Sequence, residues 1–210
     1  MKRTQYLLLL LSLASALVFV SCTQSAKPVR FSTDWPEKVN TYEETSSSWT
    51  RKGLLRASFE DQGSQLVELY ATFLSTEWRA AYVERQVEIR KLSPGSRDTL
   101  EQDQRKIASE GHVVELLVTT YHPSHNDLHR DSSIWNLALV DSAGNETAAT
   151  KIEKDRRPRE LIAAEFRNFG DFAQAYRVTF PHTPELLQGK VFALRMGSAL
   201  GSVEVNWTAQ

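Results

Sequence analysis

From His112 to the C-terminal end, apolar residues recur every second position in short segments, and this period restricts the chain to β-sheet over nearly half its length. Val114, Leu116 and Val118 form one face of such a segment, with Glu115, Leu117 and Thr119 on the other. Trp135, Leu137 and Leu139 alternate with Asn136 and Ala138, and Tyr176, Val178 and Phe180 form a third segment stopped by Pro181. Phe192, Leu194 and Met196, followed by Val203, Val205 and Trp207, predict a closing hairpin whose turn is flanked by Gly197 and Gly201. Between them, 141–145 (Asp-Ser-Ala-Gly-Asn) supplies the turn chemistry of a hairpin loop that leads into a more polar strand near 148–153. Successive strand side chains point to opposite faces, so each segment buries one face and wets the other.

The region before His112 mixes both periods. Leu55, Ala57 and Phe59, the turn residues Asp61, Gln62 and Gly63, then Val67, Leu69, Ala71 and Phe73 predict a β-hairpin. Leu66, Tyr70, Phe73 and Leu74 also fit a 3.6-residue period, which would make 64–92 one long helix. The hairpin is preferred because Ser75 has the chemistry of an N-cap, with Glu77 in the following first turn, and so starts a helix at Thr76. That helix runs to about residue 92 on a stripe of Trp78, Ala81, Tyr82, Arg85, Ile89 and Leu92, and Pro94-Gly95 ends it. A second helix is predicted at 99–109, burying Leu100, Ile107 and Ala108, with Gly111 as its C-cap. Residues 160–173 begin with helical propensity but meet Gly170 early. Eight strands at intervals too short for parallel crossovers, with two helices inserted after the second strand, predict an α+β, mainly β chain. The architecture expected is an antiparallel β-sandwich, immunoglobulin-like in outline, with helices at about 76–92 and 99–109.

At the other end of the chain, Lys2 and Arg3 precede an apolar run from Tyr6 to Val20 interrupted only by Ser12 and Ser15, the proportions of a secretory signal peptide. The run is short of the roughly 20 apolar residues that cross a bilayer. Phe19-Val20-Ser21-Cys22 resembles the lipobox of bacterial lipoproteins, with Phe19 where that family usually has Leu. The resemblance covers residues 1–22 only. It implies cleavage before Cys22 and acylation of that residue, and Thr23 after it, in place of Asp, implies an outer-membrane destination. Several acyl chains, at about 0.8 kcal/mol per buried CH₂, would hold a domain at a membrane almost permanently.

Removal of residues 1–21 takes Lys2 and Arg3 from the 25 cationic residues, leaving 23 against 26 acidic ones and a net charge of −3. That balance argues against nucleic acid as a partner, because phosphate binding needs a concentrated basic surplus. Cys22 is the single cysteine, so no disulfide is available and stability must come from burial. Residues 22–48, with Pro28, Pro36, Glu43-Glu44 and Ser46-Ser47-Ser48, read as a lipidated tether partly docked on the domain through Trp35, Tyr42 and Trp49. Residues 49–210 form one globular domain.

One cluster resembles chemistry. His122, His125 and His129, with Asp127 and Asp131, fall between two strands, and His₂ or His₃ with a carboxylate is a zinc ligand set. The spacing is not a specific signature, and a polar loop accounts for the same residues. No phosphate-binding glycine loop, GxSxG elbow or HExxH occurs, and neighbouring carboxylates such as Glu43 and Glu44 or Glu60 and Asp61 do not establish a catalytic pair. The one basic stretch, Lys151, Lys154, Arg156, Arg157 and Arg159 against Glu153 and Asp155, reads as a solvated loop. The expectation is therefore a non-enzymatic envelope lipoprotein without a cofactor. It is held in the membrane through its lipid and binds another envelope protein or a cell-wall component. The alternative is a zinc-binding periplasmic protein or hydrolase built on His122, His125, His129 and Asp127. The anchor is testable: Cys22→Ser is expected to move the protein from the membrane to the soluble fraction on sedimentation, and an unchanged membrane fraction would exclude acylation.

Overall fold

The structure, a computed structural model, describes residues 27–57 and 65–208. Cys22 and the first hairpin turn at 61–63 lie outside these. Among the described residues, nine strands form two antiparallel sheets. The larger joins β1 (Thr50–Arg56), β2 (Gln65–Phe73), β3 (Gly111–Thr120), β7 (Gln174–Pro181) and β6 (Lys151–Lys154) in the order β1-β2-β3-β7-β6. The smaller joins β4 (Asn136–Val140), β5 (Glu146–Ala148), β8 (Phe192–Ser198) and β9 (Gly201–Trp207) in the order β5-β4-β8-β9. Helices α1 (Tyr42–Trp49), α2 (Thr76–Arg90), α3 (Pro94–Glu110) and α4 (Arg159–Glu165) cover the outer face of the larger sheet, and the short α5 (Pro184–Leu187) follows β7. The chain is thus α+β and mainly β, an antiparallel sandwich with a helical third layer. No described helix is long and apolar enough to cross a membrane.

The sandwich interior is built from the alternating residues the sequence points to. Val67, Leu69, Ala71 and Phe73 from β2, Val114, Leu116 and Val118 from β3, and Tyr176, Val178 and Phe180 from β7 are all buried. They face Leu137, Leu139, Phe192, Leu194, Met196, Val203, Val205 and Trp207 of the other sheet in one apolar cluster. Aromatic rings tie the sheets together at one end: the Phe73 centroid lies 5.0 Å from Phe192 and 5.7 Å from Trp207, and Trp49 lies 5.8 Å from Phe73. Such offset and edge contacts add about 0.5–1.5 kcal/mol each beyond area burial. Trp207 Nε1 donates to the Trp49 carbonyl at 2.9 Å, and Trp49 Nε1 donates to Glu77 Oε2 at 2.8 Å.

Ser75 caps α2 as expected, its hydroxyl accepting from the Trp78 N–H at 3.1 Å, so 65–92 is a strand followed by a helix. Several details differ from the sequence reading. Pro94 opens α3 at its first turn, behind a Ser93 cap, where the sequence suggested only a stop to α2; proline's missing N–H costs nothing there. Nor does α3 bury any residue: Ile107 is exposed and Leu100 and Ala108 are half-buried. Gly111 is extended, not left-handed, and begins β3; a Cβ there would stand 2.6 Å from the Phe180 carbonyl oxygen, so the glycine serves strand approach instead of capping. The polar strand expected near 148–153 is two strands. Its halves pair with β4 in one sheet and β7 in the other, and the crossing at Ala149-Thr150 makes nine strands where eight were expected. Within the stretch read as a tether, the described residues from Lys27 pack on the domain. Val29 and Phe31 are buried, the Val29 N–H donates to the Thr208 carbonyl, and 42–49 is helical behind a Thr41 cap.

Gly53 in β1 sits where the two sheets close. A Cβ at this position would lie 2.6 Å from Val203 Cγ2 and 2.8 Å from Val205 Cγ1, both stiff β-branched groups of β9. Gly53→Ala is expected to destabilise the domain by about 1–3 kcal/mol through overpacking. Leu54→Ala, at the exposed next position, should cost much less, as read by urea midpoints.

Candidate functional site

Paired residues on adjacent strands share a face. Register therefore lays a polar row across the helix-covered side of the larger sheet: Thr50 pairs with Thr72, Thr72 with Glu115, Glu115 with Arg177, and Arg177 with Glu153. The row crosses all five strands. At its edge Thr50 Oγ1 and Thr72 Oγ1 share a 2.7 Å hydrogen bond. At its centre Glu115 is 1% exposed, because β3 is flanked by β2 and β7 and roofed by helices. Burial raises its carboxyl to about 7, the Asp155 charge adding to the effect while Arg177 opposes it. Glu115 Oε2 accepts from Arg177 Nε at 3.3 Å, and Oε1 has no partner among the described residues.

Around this carboxyl the charges are unevenly matched. Arg157 is saturated, with Nη2 2.6 Å from Asp155 Oδ2 and Nη1 2.5 Å from Glu165 Oε2. Arg79, in the first turn of α2, is 2% exposed; its Nε donates to the Leu74 carbonyl at 3.0 Å and its Nη1 to Gln104 Oε1 at 2.8 Å. Burial, and secondarily the charge of Arg177, lower its pKa to about 10.

Two of the depressions on this layer share Glu165 as a wall. The larger, about 600 Å³, lies between α1 and α4 above β1, β2 and β3. Its hydroxyls come from Tyr42, Ser46, Ser47, Thr50, Tyr70 and Thr72, and its charges of both signs from Lys52, Arg85, Arg167, Glu43 and Glu165. Two bonds hold α4 in place as its wall: Tyr42 Oη donates to the Glu165 carbonyl at 2.9 Å, and Arg85 Nη2 to the Ala164 carbonyl at 2.7 Å. Arg85 also caps the Tyr42 ring at 4.4 Å, as Lys52 does Tyr70 at 5.2 Å. The smaller cavity, about 190 Å³, lies between α2, α3 and the sheet, and Arg79, Arg157 and Arg177 all line it.

The histidine loop is divided. His122 and His125 meet edge to face with centroids 5.5 Å apart, beside a 3₁₀ turn at Pro123–His125, whereas His129 stacks on Tyr176 at 5.9 Å. The Asp127 Oδ1 and His129 Nδ1 atoms are buried without a partner among the described residues. Among the described residues no group of three or more His, Cys, Asp or Glu is placed to hold a metal ion. The loop is stapled to the domain instead: Trp135 Nε1 donates to the His125 carbonyl and Tyr176 Oη to the Asn126 carbonyl. The remaining histidines, His112 and His182, stack at 5.4 Å. Burial and the neighbouring His182 pull His112 down to about 4, and its Nε2 accepts from the Thr183 N–H.

The basic stretch is also largely internal in its bonding. Arg157 turns to Asp155 and Glu165, and Arg159 donates to the Ala173 and Gly170 carbonyls while lying over Phe169. Lys151 and Lys154 stay exposed on β6, the edge strand, where lysines discourage pairing with another chain. Sequence reasoning missed Arg79, Glu115 and Arg177. A signal for Glu115 was present: it is the one charged residue in 113–118, an otherwise unbroken apolar run, and such a run marks a strand covered on both faces. Nothing separated Arg79 from the other cations of α2.

A carboxyl raised from its usual 4.5 to about 7 stabilises the fold fully below the lower value, and that contribution is lost as pH rises through the higher one. Relative to Glu115→Gln, which cannot ionise, the wild type is expected to lose stability on the order of 3 kcal/mol between pH 4.5 and pH 8. Denaturant titrations of both proteins across this window provide the check; a constant difference would mean that Glu115 ionises normally. Compared with protein-family models, curated proteins and solved structures, the chain matches none, so its functional reading rests on its own geometry.

Proposed function

We propose that the chain is an acylated envelope lipoprotein whose domain is a non-enzymatic binding module for another envelope protein, docked in the 600 Å³ cleft between α1 and α4. The observation that carries the reading is the lining of that cleft: six hydroxyl-bearing side chains, with cations and carboxylates interspersed. A polar peptide segment offers matching amides and charges. A cell-wall glycan fits less well, because sugars stack on bare aromatic faces and both tyrosine rings at this site carry a cation instead. Docking by a largely preformed polar surface also suits a helix layer whose walls are fixed by backbone-directed bonds from Tyr42 and Arg85.

The lipobox-like Cys22 supports placement at the periplasmic face of an outer membrane. An extended peptide from Cys22 to Lys27 spans at most about 18 Å, which keeps the domain near the bilayer. A photo-crosslinking residue at exposed Ser47, on the cleft wall, is expected to capture one discrete envelope polypeptide in cells, and one at Ser142, on the remote β4–β5 loop, is not. Lys52→Glu in the cleft should reduce capture from Ser47 several-fold. Equal labelling from both positions, or none from Ser47, would exclude the cleft as the docking site.

A further inference from the structure

The smaller cavity holds a cation that the fold does not compensate. Arg79 is nearly fully buried, no carboxylate pairs with it among the described residues, and its Nη2 has no hydrogen-bond partner. A buried charge without a counter-charge costs several kcal/mol in a folded protein. Arg177, on the same cavity wall, spends only its Nε on Glu115, and its charge acts unfavourably on Arg79. Arg79 Nη2, left over once Nε and Nη1 serve Leu74 and Gln104, and the guanidinium of Arg177 on the same small cavity offer donors to one oxyanion.

We propose that this cavity is a binding site for a small monocarboxylate, held between Arg79 and Arg177. Charge selects a monoanion. Arg157 is already neutralised by Asp155 and Glu165, whose carboxylates would repel a second negative charge, and Glu115 accounts for part of Arg177. Size and wall chemistry select the rest of the ligand. About 190 Å³ is below the usual 300–1,000 Å³ of drug-sized sites, and Leu74, Trp78, Ile107 and Val113 give the cavity an apolar side for a short hydrocarbon or aromatic body. The carboxylate sits on the arginines, the body rests against Trp78 and Ile107, and Gln104 keeps the Arg79 fork oriented. This site adjoins the cleft assigned to the protein partner at Glu165, but Arg79 and Arg177 do not line that cleft, and occupancy of the site does not depend on that assignment.

Calorimetric titration of the purified domain with benzoate and butyrate, alongside benzamide and inorganic phosphate, tests the proposal. Saturable binding of the carboxylates is expected, with benzamide and phosphate each weaker by about tenfold or more. Arg79→Gln is expected to weaken benzoate binding roughly 30-fold or more, as loss of a buried charged partner does. Arg177→Gln, at a half-exposed side chain, should weaken it at least several-fold; at about pH 5.5, where Glu115 is protonated and benzoate is not, the melting temperature is expected to stay close to that of the wild type. Arg105→Gln, on the outer face of α3, should bind as the wild type does. The assignment is overturned if no carboxylate saturates the protein, if benzamide or phosphate binds as tightly as benzoate, or if folded Arg177→Gln binds benzoate unchanged.

Discussion

The hydrogen bond from the Trp207 indole to the Trp49 carbonyl fixes the three layers of this domain against one another. Trp207 belongs to the last strand of the smaller sheet, and Trp49 stands where α1 gives way to the first strand of the larger one. The Trp49 indole in turn donates to Glu77 in the first turn of α2, so one chain of bonds runs from the far sheet to the helix layer. Arg51 repeats the link, reaching the Asn206 carbonyl in β9, Ser48 at the end of α1 and Lys27 in the N-terminal segment. All these donors are removed from bulk water, and an unsatisfied one costs about 1–3 kcal/mol. Sliding either sheet by one residue would break several at once and drive β9 into the space that Gly53 leaves open.

Those dependencies explain which features were legible in the sequence. Alternation in β2, β3, β7, β8 and β9 and the Ser75 cap depend on neighbours within a few residues, so the strands, the first inserted helix and the sandwich class could be read directly. Gly111 and Pro94 carried the right residue types for a stop, but their roles were set elsewhere, by the Phe180 carbonyl and by the Ser93 cap. The split of 146–154 into two strands could not be read, because only the positions of β4 and β7 decide where that segment changes sheets. The segment ahead of Trp49 looked like a linker because its apolar residues have no period. Val29 and Phe31 are buried individually, as anchors in an irregular strand-like path, and irregular burial leaves no periodic trace.

The candidate site was less legible still. Its residues, Thr50, Thr72, Glu115 and Arg177, stand on four strands and meet only through register, while Arg79 joins them from a helix. The histidines drew attention because they are close in sequence, yet proximity along a loop put His129 on Tyr176 and left His122 and His125 to each other.

The domain has two interiors. Between the sheets it is apolar and aromatic; between the larger sheet and the helices, apolar residues such as Trp78, Val113, Leu117 and Phe166 stand beside a buried carboxyl, three arginines and two further carboxylates. A polar layer of this kind contributes little net stability, since desolvation offsets most of what its ion pairs return. This side of the sheet keeps a cation without a carboxylate partner and a carboxylate oxygen without a hydrogen-bond partner among the described residues, beside two adjoining openings. Groups retained at such a cost fit the binding proposed for this side of the sheet. On the function proposed above the recognition surface is the helical face, and the outer face of the smaller sheet, with its exposed Arg195–Glu204 pair, is left to solvent.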